Sequence, residues 1–320
     1  MSAQPRVLAL IALPDATLEA LRNHYGFDCT RDYRPDGSLP DGDDAASMLS
    51  TVRAVVTNGS TGLDEARMAA LPALEIVCAF GAGYENVDTA AAARRGIVVT
   101  HAPGTNAATV ADHAFGLMLA LARGYAPLTE AVRRGQWPAS RGARPTLTGA
   151  ALGIVGMGRI GRLIATRAQG FQMSIGYHGR APHADAPGRY HASLVELAHA
   201  SDFLVLACNG GPATRHLVDR AVLRALGPHG YVINVARGSV IDTSALLDAL
   251  EAREIAGAGL DVIEDEPNAP PALLAHPDVL VTPHMAGRSP ASWLAQRDAL
   301  LASLAQHFGG ERVERAVSVR

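Results

Sequence analysis

Cysteine is scarce. The 320 residues hold three, Cys29, Cys78 and Cys208, odd in number and far apart. That spacing argues against a disulfide framework and against a zinc site, and no metal site is expected. It fits a reducing, cytoplasmic compartment, with each thiol a small buried hydrophobe. Charge is scarce as well. Charged residues make up 18% and the formal net charge is −3, so nothing gives an electrostatic footprint for nucleic acid. No apolar run is long enough to span a bilayer, so no membrane is expected among the partners. The opening residues, Met1 to Arg6, do not read as a signal peptide. Aromatics are few at 5%, while 48% of the chain is hydrophobic and rich in Ala, Gly, Val and Leu. A large core and an α/β architecture follow, and the length suggests about two domains.

Apolar runs alternate with helical patterns along the first hundred residues. Strands are predicted over 7–13, 53–57, 74–80 and 97–100, and helices over 17–25, 64–71 and 89–95. The stretch 34–44, rich in Pro, Gly and Asp, reads as a loop. A small parallel sheet accounts for this alternation. A long apolar helix over 108–121 and a Pro/Gly-rich projecting arm up to Pro145 come next. Six further strands, over 152–155, 173–177, 203–206, 231–234, 257–260 and 279–282, fit a doubly wound sheet, and one helix over 291–308 follows.

The second series opens on a glycine fingerprint, Gly156-Met157-Gly158-Arg159-Ile160-Gly161, between a strand and a helix. Gly156 permits the tight turn, Gly158 lets the backbone approach a pyrophosphate, and Gly161 lets helix and strand pack closely. The helix N-terminus adds free N–H groups and the positive end of its dipole. A glycine-rich turn without a ligand is the plainer alternative. The next strand ends His178-Gly179-Arg180. An NAD site normally places Asp or Glu there for the ribose 2′-hydroxyl. Gly179 stands at that place, and the Arg180 guanidinium suits a 2′-phosphate. NADP is therefore predicted over NAD, with Arg159 and His178 adding to the phosphate site. The plainer alternative makes Arg180 a solvated surface charge.

Three later strand ends carry chemistry-bearing residues. Arg237 lies just beyond an apolar strand; a structural salt bridge is its plainer reading. The run Asp261-Val262-Ile263-Glu264-Asp265-Glu266 holds four acids in six residues and, standing alone, would read as a solvated acidic loop. His284 follows Pro283 at another strand end, and a lone histidine is more often structural than catalytic. A histidine, a carboxylate and an arginine at one edge of a single sheet combine an acid/base pair with an anion clamp.

These segments, in this order, resemble the D-isomer-specific 2-hydroxyacid dehydrogenase family, and most closely its glyoxylate/hydroxypyruvate reductase branch. The resemblance spans nearly the whole chain and includes the loop Phe80-Gly81-Ala82-Gly83-Tyr84-Glu85-Asn86-Val87-Asp88 and the helix start Val110-Ala111-Asp112-His113. It implies two doubly wound parallel-sheet domains, a Rossmann-type cofactor domain over 101–287 inserted in a flavodoxin-like substrate domain over 1–100 and 288–320. It implies NADPH-dependent reduction of small 2-keto acids to D-2-hydroxy acids. His284 would be the general acid, and Glu266 would hold it protonated. Arg237 would bind the keto acid, and backbone N–H groups of the Gly81-Ala82-Gly83 loop would hold its carboxylate. Asp261 would orient the nicotinamide carboxamide. Cofactor contacts would also come from Thr109, Cys208, Asn209, Thr214, Val235, Ala236, Arg237, His284 and Gly287. Much of the family has Pro where Asn209 stands, a departure that touches no catalytic group. The resemblance further implies a homodimer through an arm over 122–147, with Trp137 packing in the interface or reaching the partner's pocket. An NAD-dependent enzyme for a different or bulkier 2-keto acid remains open, as does a dinucleotide-sensing protein like the corepressors that share this fold.

Overall fold

The computed structural model describes residues 4–42 and 45–318. Met1 to Ala3, Asp43 and Asp44 of the expected loop, and Val319 and Arg320 at the end of the last assigned domain lie outside the described residues. The described residues up to Asn106, together with those from Ser289 on, form one compact unit, and Ala107–Arg288 form the other.

In the first unit the elements are β1 (Arg6–Ala9), α1 (Asp15–His24), α2 (Ala45–Leu49), β2 (Val52–Thr57), α3 (Glu65–Ala69), β3 (Ile76–Ala79), α4 (Thr89–Arg94) and β4 (Val98–Thr100). The four strands are parallel and lie in the order β1-β2-β3-β4. Isolated parallel bridges Arg6↔Gly26 and Ala9↔Tyr33 lay a further extended stretch along the outer side of β1. Counted in chain order, the extended segments then run 2-1-3-4-5, the flavodoxin-like order. Helix starts follow their caps: Asp64 and Asp88 side chains accept from Arg67 N–H and Ala91 N–H, each at 2.8 Å. The first strand is shorter than the sequence suggests. It leaves the ladder after Ala9, and Leu13 N–H is taken instead by the Tyr33 hydroxyl at 3.1 Å.

The second unit begins with α5 (Ala107–Arg123) and α6 (Tyr125–Arg133). It continues with β5 (Ala151–Val155), α7 (Arg159–Gly170), β6 (Ser174–His178), β7 (Arg189–Tyr190), α8 (Leu194–His199), β8 (Phe203–Leu206), α9 (Arg220–Leu226), β9 (Tyr231–Asn234), α10 (Thr243–Glu251), β10 (Gly257–Leu260), α11 (Pro271–Ala275) and β11 (Val279–Val281). Its sheet is parallel throughout, in the order β11-β10-β9-β8-β5-β6-β7. The winding reverses between β5 and β8, which makes the carboxyl ends of those strands the expected ligand crevice. Seven strands are present where six were expected, because the edge strand β7 has only two residues and shows no periodicity in the sequence. The expected arm is helical in its first part, as α6. Helix α5 packs close on the sheet because Gly259 has no side chain: a Cβ there would lie 3.0 Å from both Leu121 and Ile233 side chains. Among the described residues no helix is long and apolar enough to cross a membrane.

The last helix, α12 (Pro290–Phe308), belongs to the first unit, where Leu300 and Leu304 join the core formed by Val7, Ala9 and Leu21. Its end is tied down by His307 to Glu75 at 3.2 Å, while Arg53 grips the same carboxylate and lies over the Phe308 ring at 4.8 Å. Residues 101–106, expected in the cofactor domain, fall in the first unit. His101 and Ala102 bond to Ala82 and Gly81 there.

Candidate active site

The three fingerprint glycines meet three different surroundings. Gly156 has φ +96, and a Cβ on it would lie 2.6 Å from Cys208 Cα, so the turn out of β5 packs directly on the chain leaving β8. A Cβ on Gly161 would strike Gly156 O, which fixes the close approach of α7 to the turn. A Cβ on Gly158 would meet nothing within 4 Å. Packing therefore explains the first and third glycines, and the open second one fits a pyrophosphate approaching the start of α7, where Arg159, Ile160 and Gly161 supply the first N–H groups. Met157 is buried beneath the turn.

His178 ends β6, and its Nδ1 donates to His191 O at 3.0 Å. Gly179 has open space around its Cα and no left-handed φ, so nothing in the protein excludes a carboxylate side chain there. Arg180 is exposed and has no hydrogen-bond or ion-pair partner among the described residues. After β8, the loop through Cys208 and Asn209 closes on Thr214, whose hydroxyl donates to Asn209 O at 2.9 Å. Burial pushes the Cys208 thiol up to about 11. Only Cys78 of the three cysteines is fully buried; Cys29 and Cys208 are half-buried.

The buried Asn234 ends β9 and shapes the turn that presents Arg237. Its Oδ1 accepts from Ala236 N–H at 3.0 Å and its Nδ2 donates to Arg237 O at 2.9 Å. Val235 and Ala236 are buried in that turn. Two glycines crowd the arginine. A Cβ on Gly210 would lie 2.5 Å from Arg237 Cγ, and one on Gly238 would collide with the backbone of Ile263 and Glu264. The loops after β8, β9 and β10 are thereby pressed together around Arg237.

The structure separates the four acids that follow β10. Asp261 is buried and bonded to the turn after β11. Its Oδ1 accepts from the Thr282 hydroxyl at 2.7 Å and Met285 N–H at 2.9 Å, and its Oδ2 from Ala286 N–H at 2.9 Å. The Thr282 oxygen in turn accepts from His113 Nε2 at 2.9 Å. Glu264 binds His216 at 2.7 Å, Arg215 at 2.9 Å and Thr243 at 3.3 Å. Asp265 is exposed. Glu266 Oε2 lies 2.7 Å from His284 Nδ1, and its Oε1 accepts from Ile263 N–H at 3.2 Å. Burial raises the Glu266 carboxyl, but the hydrogen bond and charge of His284, the Ile263 N–H and the Arg237 charge outweigh it and hold it below the usual range. A carboxylate has no proton to give, so His284 Nδ1 carries the proton in this bond and Nε2 is left for a substrate. His284 sits at φ +49, a left-handed turn fixed by its own N–H to Asp261 O and by the Asp261 side chain beyond it. Gly287 follows this turn, and Thr109 lies in the first turn of α5.

The cofactor and catalytic residues expected at strand ends thus line the carboxyl edge of one sheet, with Arg237 close enough to Glu266 to act on its charge. The loop Gly81-Ala82-Gly83, expected to hold the substrate carboxylate, follows β3 in the other unit. Sequence reasoning gave no role to Asn234, Gly238, Thr282 or the His113 side chain, and counted Gly210 only within the 208–214 segment expected to line the cofactor. A buried amide closing an apolar strand was the one visible signal among them.

The family model described as D-isomer specific 2-hydroxyacid dehydrogenase, NAD binding domain, matches residues 115–286. Glyoxylate/hydroxypyruvate reductase A HPR2 of Arabidopsis thaliana is 39% identical over 263 residues, 82% of this chain and 84% of that protein. The 2-ketogluconate reductase of Gluconobacter oxydans is 33% identical over 309 residues, 96% and 97% of the two chains. Among solved structures, an NADPH-dependent glyoxylate/hydroxypyruvate reductase from Sinorhizobium meliloti, in complex with NADP and malonate, superposes with a TM-score of 0.87 at 37% identity, covering 99% of this chain and 97% of that one.

Proposed function

The chain belongs to the D-isomer-specific 2-hydroxyacid dehydrogenase family, and we propose that it uses NADPH to reduce small 2-keto acids, glyoxylate and hydroxypyruvate first, to D-2-hydroxy acids. It is an NAD(P)-dependent oxidoreductase of the 2-hydroxyacid type. The observation that carries the reading is the 2.7 Å His284–Glu266 bond at the sheet edge that also bears Arg237.

The dinucleotide, once bound across Gly156, Gly158 and Gly161, supplies the hydride. Arg237 holds the carboxylate and keto oxygen of the substrate and draws electron density toward that oxygen. His284 gives its Nε2 proton to the same oxygen as negative charge develops, so the carbonyl becomes a hydroxyl. Glu266 keeps the ring oriented and balances the imidazolium before transfer. Asp261 Oδ2 carries one bond within the protein and keeps capacity for the nicotinamide carboxamide. Gly81, Ala82 and Gly83 offer backbone N–H groups for the substrate carboxylate. Thr109, Cys208, Asn209, Thr214, Val235, Ala236 and Gly287 complete the cofactor contacts.

The preference for NADPH rests on Gly179 and on the unengaged Arg180, and Arg159 and His178 add to the proposed phosphate site. A homodimer through the arm is supported by the exposed Tyr125, Val132 and Trp137, and its expected compartment is the cytoplasm. Arg123 pins the returning end of the arm through Arg144 O and Pro145 O, at 3.0 and 3.1 Å.

Steady-state NADPH oxidation with glyoxylate and hydroxypyruvate, beside NADH and 2-ketogluconate, tests the reading. Arg180→Ala should lower kcat/KM for NADPH by about 10-fold or more and leave NADH turnover unchanged, the scale of a lost charge-assisted hydrogen bond. Adding Gly179→Asp should favour NADH. Turnover no greater than a stoichiometric burst would make this a dinucleotide sensor, and a preference for NADH in the unmodified chain would overturn the cofactor assignment. Light scattering tests the dimer, and an active monomer contradicts it.

A further inference from the structure

The segment after β4 grips the loop after β3. Ala102 N–H donates to Gly81 O at 2.7 Å, and His101 Nδ1 donates to Ala82 O at 2.9 Å. A carbonyl has no proton to give, so Nδ1 is the protonated ring nitrogen. Tyr84 braces the ring edge-on, with centroids 4.9 Å apart. On the other side the loop rests against Gly59, where a Cβ would lie 2.9 Å from Gly83 C.

Each bond fixes one peptide plane, because the C=O and N–H of a planar trans peptide point in opposite directions. Holding Gly81 O turns Ala82 N–H away from the 101–102 segment. Holding Ala82 O turns Gly83 N–H away in the same manner. A carbonyl that accepts a hydrogen bond also polarises its own peptide and strengthens the opposite N–H as a donor.

We propose that His101 is a positioning residue for the substrate carboxylate. It sets the Ala82–Gly83 peptide plane, and through it the Gly83 donor, without touching the substrate. The proposal rests on reading 81–83 as the carboxylate loop. The Ala102 contact is made by backbone and survives any side-chain change, so His101 is the half of the clamp that a substitution can remove.

Three proteins test this: the unmodified chain, His101→Leu and His101→Asn. Leucine keeps bulk without a donor, and asparagine places an amide nitrogen near the position of Nδ1. KM for glyoxylate should rise about 3- to 10-fold in His101→Leu, the scale of one neutral hydrogen bond, with kcat and KM for NADPH within about twofold. His101→Asn should bring KM back. A purely structural defect would lower the active fraction, and so kcat, in both variants. The Gly83 amide resonance of the unliganded, isotope-labelled protein gives a second readout: it should shift in His101→Leu and return in His101→Asn. An unchanged KM in His101→Leu, or an asparagine variant no better than leucine, overturns the proposal. If the unmodified protein reduces neither glyoxylate nor hydroxypyruvate, the functional reading fails. The positioning role is then decided by the Gly83 resonance, and an unmoved resonance in His101→Leu refutes it.

Discussion

Replacing Gly210 by alanine should disable the site through Arg237 while leaving the fold in place. A Cβ at this position would lie 2.5 Å from Arg237 Cγ and 3.1 Å from Arg237 Cβ. Non-bonded carbons rest about 3.5–4.0 Å apart, so the arginine stem has to move by about 1 Å. Its backbone is held where it is. Asn234 Nδ2 binds Arg237 O at 2.9 Å, and the next residue, Gly238, is pressed on the backbone of Ile263 and Glu264. The displacement therefore passes into the side-chain torsions and out to the guanidinium. A misplacement of about 1 Å in a group that positions substrate costs on the order of 100-fold in rate, or about 2.7 kcal/mol at the transition state. Gly210 has no left-handed φ, so alanine suits its backbone. The smaller entropy of the unfolded chain offsets some of the strain by about 0.4–1 kcal/mol, and Tm should stay within about 4 °C. The assay is kcat/KM for glyoxylate at saturating NADPH, with NADPH affinity from fluorescence and Tm from a thermal scan. We expect kcat/KM to fall by roughly 30- to 100-fold at unchanged NADPH affinity. An unchanged kcat/KM would refute the reasoning, as would a drop explained wholly by weaker NADPH binding.

Thr282→Val keeps the shape of the side chain and removes the hydroxyl that joins His113 to Asp261. Stability in urea should fall by about 1–3 kcal/mol and kcat should fall with it, because the His284 turn hangs on Asp261; unchanged stability would contradict this relay. His284→Ala should lower kcat by about 100-fold or more with NADPH affinity retained, whereas full activity would remove the proposed acid. For Glu266 the pH dependence has a definite sign. Its carboxyl lies below the usual range in the fold, so its contribution to stability is present above the unfolded value, about 4.3, and is lost as pH falls through the folded one. The stability gap between the unmodified chain and Glu266→Gln should therefore close on acidification, and a gap independent of pH would contradict the pairing.

Much of this architecture is legible in the chain because its strands are apolar runs bounded by Gly and Pro, and because Asp64 and Asp88 announce the helices they cap. Two elements are not. Helix α6 begins Tyr125-Ala126-Pro127, and a proline reads as a break although it is tolerated in a first turn. Strand β7 is two residues long and exists only by pairing with Gly176 and Tyr177. At the site the chemistry-bearing letters Arg237 and His284 stand out, since each follows an apolar strand. Their supports do not. His113 and Thr282 are separated by 169 residues, and nothing local marks them as partners. Gly210 and Gly238 matter for what their missing side chains leave room for, a property of the neighbour rather than of the residue.

The acidic run after β10 shows how backbone geometry assigns a role that composition leaves open. Read as letters, Asp261, Glu264, Asp265 and Glu266 are interchangeable negative charges. In the fold Asp261 is buried and spends its carboxylate on Thr282, Met285 and Ala286, so it acts on where His284 stands. Glu264 is drawn the other way, with His216, Arg215 and Thr243 around its oxygens, and burial of that carboxylate is outweighed chiefly by the His216 bond. Glu266 is the acid that bonds Nδ1 of the His284 ring, which leaves Nε2 for the substrate. The backbone that fixes Ile263 N–H on Glu266 Oε1 also lies against Gly238, next to Arg237. The pair and the arginine are therefore registered by the same contact. A charge added elsewhere in the run cannot replace Glu266, because Glu266 is the acid whose two oxygens meet His284 Nδ1 and Ile263 N–H.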